Sequence, residues 1–216
     1  MIEYTKEMYD YYYKRQWKHT DLVKSIGLKL INIPEFIDRY SNISGLSEFD
    51  RILTVHDLDK LQHVNVNDFK TNKKFIHGFI HLCEQYRRKR LNLDEYVLDD
   101  DIKELCHYGT VLHVLCNTHH PEYWDPTINK TSDDRFNIIN VENRDEPSIR
   151  KILAYKMPEI SLCEMVCDWC AVSIERNDSL IKWAINNINR RWMFNNYQVK
   201  FIYDIVKMCE EIKNEL

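Results

Sequence analysis

The histidines and carboxylates of this chain are grouped in a way that suggests metal chemistry. His56 and Asp57 stand side by side, with Lys60 one turn further on. His113, His119 and His120 crowd the end of a single apolar segment. Glu164 and Asp168, four residues apart, fall on one side of a helix, in a segment that otherwise carries Leu162, Met165, Val166 and Trp169. Carboxylates turned into such an apolar face are costly to bury unless they are paired or bind a metal. Facing helices of a bundle build metal sites from side chains of this kind. A single histidine on an apolar helix is more often a hydrogen-bonded core residue, and His63, His77, His81 and His107 are read that way. Cys163 and Cys167 lie one turn apart, with Cys170 near them, but no second pair completes a four-cysteine zinc set. They read as core thiols.

These groups need helices to position them. Residues 3–16 read as a Tyr-rich amphipathic helix, followed by a new start near His19 or Thr20 with the stripe Leu22, Ile26, Leu28 and Ile31. Pro34 opens a short helix. Ser47 caps another, which carries Ile52, Leu53 and Val55 into His56-Asp57. Residues 67–90 form a helical stretch with Phe75, Ile76, Phe79, Ile80 and Cys83 on its buried face, ending in the run Arg87-Arg88-Lys89-Arg90, a solvated helix end. Acids at 99–101 start a helix that runs to His119-His120, where Pro121 stops it. A polar loop spans about 125–148, and loops of that length often lie over functional sites. Pro158 opens a helix to about Arg176, and two more follow at 178–193 and 197–214.

Composition fits this reading. Four Gly and five Pro in 216 residues are too few for the many turns of an all-β fold. Hydrophobic residues at 44% supply a core for one all-α helical domain over 1–216. The net charge of -4 gives no basic excess for a nucleic-acid backbone. No apolar run approaches the roughly 20 residues that cross a bilayer. Met1 to Lys18 is dense with tyrosines and charges and does not read as a signal segment. With seven Cys, an odd number, this points to a reducing, intracellular, cytoplasmic setting. There is no Gly-rich phosphate loop and no nucleophile elbow. Nothing in the sequence fixes the oligomeric state.

The order His19, His56-Asp57, Asp168 resembles the H…HD…D signature of the HD-domain metal-dependent phosphohydrolases. His56 to Lys60 is similar to the HDxxK of the HD-GYP phosphodiesterases, and His119 to Asp125 to their HHE segment. No GYP follows the double histidine, which argues against cyclic dinucleotides as substrate. The likeness is closer to an uncharacterised HD-like family with the motifs HDxSK, HyxxNxHHPEy and EMxCDWxAxS. These are matched at His56–Lys60, His113–Tyr123 and Glu164–Ser173, with Asp59 in place of the Ser. The likeness spans about residues 19–190.

The resemblance implies a helical bundle of the HD type and a metal held by His19, His56, Asp57 and Asp168. It further implies that Asp57 bridges to a second ion on His113 and on His119 or His120, and that Glu164 orients a ligating histidine. Lys60 and Glu122 are then the catalytic side chains, and Arg176, Arg190 and Arg191 are candidate phosphate partners. Imidazoles with carboxylates suit one or two divalent transition metals (Mn, Fe, Ni, Co or Zn) better than an all-oxygen Mg or Ca site. The expected activity is metal-dependent hydrolysis of a small phosphorylated compound, with a nucleotide as one candidate. The HD scaffold also resembles that of inositol oxygenase, so a di-iron oxygenase is an alternative, and a metal-stabilised binding protein without activity is another.

Overall fold

Thr5 caps the first helix, α1 (Lys6–Leu30), its hydroxyl accepting from Met8 N at 3.4 Å. The structure is a computed structural model and describes residues 5–40, 46–60, 79–86, 99–138 and 150–216. The expected break near His19 does not occur, and α1 runs straight through Thr20-Asp21. Tyr12, Gln16, His19, Val23, Ile26 and Leu30 recur every three or four residues and are all buried. One continuous buried stripe outweighs a local capping signal, because helix stability comes mainly from packing an amphipathic face.

After α2 (Pro34–Tyr40) comes α3 (Leu46–Val55), which delivers His56 and Asp57 just past its end. The next described helix, α4, covers residues 79–86, with Phe79, Ile80 and Cys83 buried as the sequence suggests. His63, Phe75, Ile76, His77, the basic run at 87–90 and residues 139–149 lie outside the described residues. α5 (Asp100–Cys116) stops sooner than expected, and His119-His120 follow it on irregular chain before a 3-10 turn at Pro121–Trp124. The loop beyond that turn carries a short helix, α6 (Arg135–Ile138). α7 (Glu159–Arg176), α8 (Leu180–Asn187) and α9 (Asn196–Asn214) complete the chain.

The all-α expectation is met, with one addition. β1 (Ile152–Leu153) and β2 (Trp192–Met193) pair in parallel, the amides of Ile152 and Ala154 donating to the carbonyls of Arg191 and Met193 at 3.0 Å. The helix expected over 178–193 therefore ends at Asn187. Among the described residues, no helix is long and apolar enough to cross a membrane.

α7 is the centre of the packing and lies against α1, α3, α8 and α9. The main core fills the space between them, with Leu162, Val166, Ile202 and Ile205 fully or nearly fully covered. A smaller core joins the first turns of α1 (Met8, Tyr12) to α4 and to Ile102 of α5. Along α1, the polar pair Gln16 and His19 falls between Tyr12 of the smaller core and Val23 of the main one.

α1 and α3 approach closely at Gly27. A Cβ there would stand 2.4 Å from Leu53 Cδ1, and Leu53 is fully buried three residues before His56. Gly27→Val should therefore overpack this contact and cost about 2–3 kcal/mol. Urea denaturation checks it, and an unchanged midpoint would show that α3 is free to shift.

Candidate metal centre

Three helices and two turns bring the centre together. α1 contributes His19, on the same stripe as Tyr12 and Gln16. α7 contributes Glu164, Asp168 and Glu175, spaced four and seven apart, which confines them to an arc of about 40° on an ideal helix. His113 comes from the last turn of α5. His56 and Asp57 occupy the turn after α3. Asp57 has φ 56°, the left-handed region that Asp tolerates better than most residues. Lys60 N closes that turn on Asp57 O at 2.8 Å, and the buried Tyr12 hydroxyl donates to Lys60 O, tying the turn to α1.

The double histidine lies outside any helix, so other contacts must hold it. Trp124 Nε1 donates to Thr118 O at 2.8 Å. Trp192 Nε1, on β2, donates to Glu122 Oε1 at 2.9 Å, and Leu153 N, on β1, donates to Asp125 Oδ2 at 3.0 Å. Glu122, expected as a catalytic group, uses its Oε1 to anchor the turn after His119-His120 to the strand pair.

The imidazoles share one pattern. His56 Nδ1 lies 3.0 Å from Glu164 Oε1, and His119 Nδ1 lies 3.3 Å from the same oxygen. His113 Nδ1 lies 2.7 Å from Asp59 Oδ2, and His19 Nδ1 lies 3.3 Å from Glu175 Oε2. A carboxylate therefore meets the Nδ1 of each of these four rings, while the Nε2 atoms turn towards Asp57 and Asp168. His19 Nε2 is 3.1 Å from Asp168 Oδ1, and His56 Nε2 is 3.8 Å from the same atom. His113 and His119 Nε2 are 3.3 and 3.6 Å from Asp57 Oδ1. His120 completes the set, its Nε2 being 3.0 Å from His113 Nε2.

Charges balance locally. Burial works against ionising Asp57, but Lys60, His56 and His113 outweigh it and hold its carboxyl well below the usual range. Burial likewise opposes charge on His19, yet the bonds to Asp168 and Glu175 keep it up at about 9. His119 is also held at about 9, where Glu164 outweighs burial. Burial and the neighbouring His119 and His113 push His120 well down. Protons on imidazoles thus supply the positive charge that the buried carboxylates require.

These residues fit a metal. His56 Nε2, His119 Nε2 and Asp57 Oδ1 are buried and make no hydrogen bond among the described residues, and such orphaned atoms are rare without an ion or water to satisfy them. Two groups place their ligand atoms within 4.8 Å of one another: His19, His56 and Asp168, and Asp57, His113, His119 and His120. The four residues expected on one ion are thus divided, with Asp57 grouped with the second set. A third group, His56, His119 and Glu164, lies on the Nδ1 side, where Glu164 already meets both rings. No cysteine belongs to any group among the described residues, and Cys163, Cys167 and Cys170 are buried free thiols. His107 turns away, 2.7 Å from Phe136 O, and His81 meets Gln85.

Of the expected phosphate partners, Arg176 is exposed at the end of α7 and Arg190 is exposed past the end of α8. Arg191 is buried with its guanidinium 5.3 Å from the centre of the Trp192 ring. The carboxylates Asp59 and Glu175 were not singled out from the sequence. Glu175 had a signal, since it continues the Glu164–Asp168 stripe, whereas Asp59 showed only as the departure from the HDxSK pattern.

The fold and this site define an all-helical protein with a buried histidine–carboxylate centre able to hold metal. A profile described as a family of unknown function (DUF5662) matches residues 8–215, and the chain belongs to that family. Comparison with curated proteins and with solved structures found no match.

Because Glu164 holds two rings at once, Glu164→Gln should weaken metal binding about 10- to 100-fold while leaving every inward-facing ligand in place. Competition with a chromophoric chelator measures it, and equal affinity in both proteins would mean that Glu164 does not orient the rings.

Proposed function

We propose that the protein is an HD-type phosphohydrolase that binds two divalent transition-metal ions and hydrolyses a small phosphorylated compound, with nucleotides among the candidates. The observation that carries this reading is the division of Asp57 between two sets of imidazoles. Its Oδ2 lies 3.9 and 3.7 Å from His19 and His56 Nε2, and its Oδ1 lies 3.3 and 3.6 Å from His113 and His119 Nε2. A carboxylate divided in this way is suited to bridge two ions. His19, His56 and Asp168 would hold one ion and His113, His119 and His120 the other, with Asp57 between them.

When bound, two such ions roughly 3.5–4 Å apart activate water and clamp the oxygens of a phosphoryl group. The chain supplies the rest. Glu164, Asp59 and Glu175 fix the ring orientations, so the ligands need no rearrangement when an ion arrives. Lys60 stands beside Asp57, its Nζ 2.6 Å from Oδ2, where its charge meets the negative charge that develops on phosphoryl oxygens.

Elemental analysis after loading with Mn, Fe, Ni, Co or Zn should find about two ions per chain. The double variant His113→Ala with His120→Ala should keep one ion, and Asp57→Asn should lose the second and weaken the first. If wild type never exceeds one ion, the two-ion arrangement is wrong. The loaded protein should hydrolyse at least one member of a phosphomonoester and nucleotide panel, and Asp57→Asn should reduce that activity to background. Full loading with no hydrolysis across the panel would sink the hydrolase reading.

A further inference from the structure

The centre is closed on most sides. The side chains of His56, Asp57 and His119 are 0%, 2% and 3% exposed. Exposure rises at the edge beside His19, to 17% at Asp168, 20% at Lys60 and 32% at Arg15. Arg15 lies one turn before His19 on α1, and its guanidinium is 2.8 Å from Glu175 Oε2, the oxygen that also meets His19 Nδ1. Two cations thus stand at this edge, each against a carboxylate of the centre.

We infer that Arg15, together with Lys60, forms the phosphate-binding edge of this site. The inference rests on the two-ion hydrolase reading. Charge supports it first. Among the described residues, five carboxylates meet the cluster: Asp57, Asp59, Glu164, Asp168 and Glu175. With neutral imidazoles, two divalent ions alone leave these groups one negative charge in excess, which repels a phosphate. Arg15 and Lys60 reverse the sign to one positive charge in excess. Guanidinium chemistry supports it next, because Arg can spare donors for a phosphate while one nitrogen keeps Glu175 in place. Lys60 becomes available in turn. Its partner in the metal-free protein is Asp57 Oδ2, and an ion on that oxygen takes over the neutralisation that Lys60 provides.

The test is calorimetric binding of inorganic phosphate to the Mn-loaded protein, with metal content and melting temperature measured on every variant. Arg15→Gln should weaken phosphate binding about tenfold or more at unchanged metal content. Arg15→Lys, which keeps the charge and loses the fork, should fall between it and wild type. Arg190→Gln should bind as wild type does. If Arg15→Gln carries its metals and binds phosphate as tightly as wild type, the Arg15 assignment is overturned while the hydrolase reading stands. If fully loaded wild type binds no phosphate and hydrolyses no phosphoester, both fall together.

Discussion

The buried Asp57 carboxylate is the constraint on which the rest of this structure depends. An ionised carboxylate that is 1% exposed is costly unless opposite charge and hydrogen bonds surround it. Every element near it answers that need. α3 ends so that the turn can present it, and the residue itself accepts a left-handed backbone. α1 supplies Gln16, whose Nε2 donates to Oδ2 at 3.5 Å. Lys60 closes over it, and the imidazoles direct their inner nitrogens at it. Stored backbone strain at a buried, charged residue is a pattern that clusters at functional sites.

The ring orientations follow from the carboxylates that meet each Nδ1. A neutral imidazole has one N–H, and a carboxylate at Nδ1 keeps the proton on that side. Nε2 then offers its lone pair inward, the form a metal requires. Glu164 does this for two rings from α7, and Asp59 and Glu175 do it for one each from different elements. The same carboxylates hold His19 and His119 up at about 9 when no ion is bound. Protons and metal ions are therefore alternative sources of the positive charge that keeps one buried network neutral.

Much of this was legible in the sequence, and the reasons for the gaps are physical. The His56-Asp57 pair and the Glu164–Asp168 spacing could be read because adjacency and helical period are local properties. The continuity of α1 was hidden, because Thr20-Asp21 carries a capping signal that only tertiary packing overrides. α5 proved shorter than its pattern. Pro121 was a sound stop signal, but it marks the start of a 3-10 turn, and the helix had already ended at Cys116. Asp59 and Glu175 have no local signal for their roles, since what matters is which imidazole each meets across the bundle. Of the two short parallel strands, β2 fell inside the stretch read as a helix over 178–193, and β1 fell where no element was expected. Their pairing partner lies some forty residues away in sequence, beyond any local window.

That strand pair gives the buried glutamate beside the double histidine a structural role. His119 and His120 must be fixed although no helix carries them. A turn held only by its own backbone would leave both rings free to rotate out, and a ligand misplaced by an ångström loses most of its value in a preorganised site. Two bonds from side chains of this turn supply the fixing: Glu122 accepts from the Trp192 indole, and Asp125 accepts from Leu153 N. Trp192 is itself held by stacking on Trp169 of α7, with ring centres 5.4 Å apart. Trp169 adjoins Asp168, so α7 both supplies a carboxylate to the centre and, through the two indoles, steadies the turn that carries the opposing histidines. One oxygen of the acidic side chain in the HHPE segment is thus engaged in holding the turn that carries the double histidine.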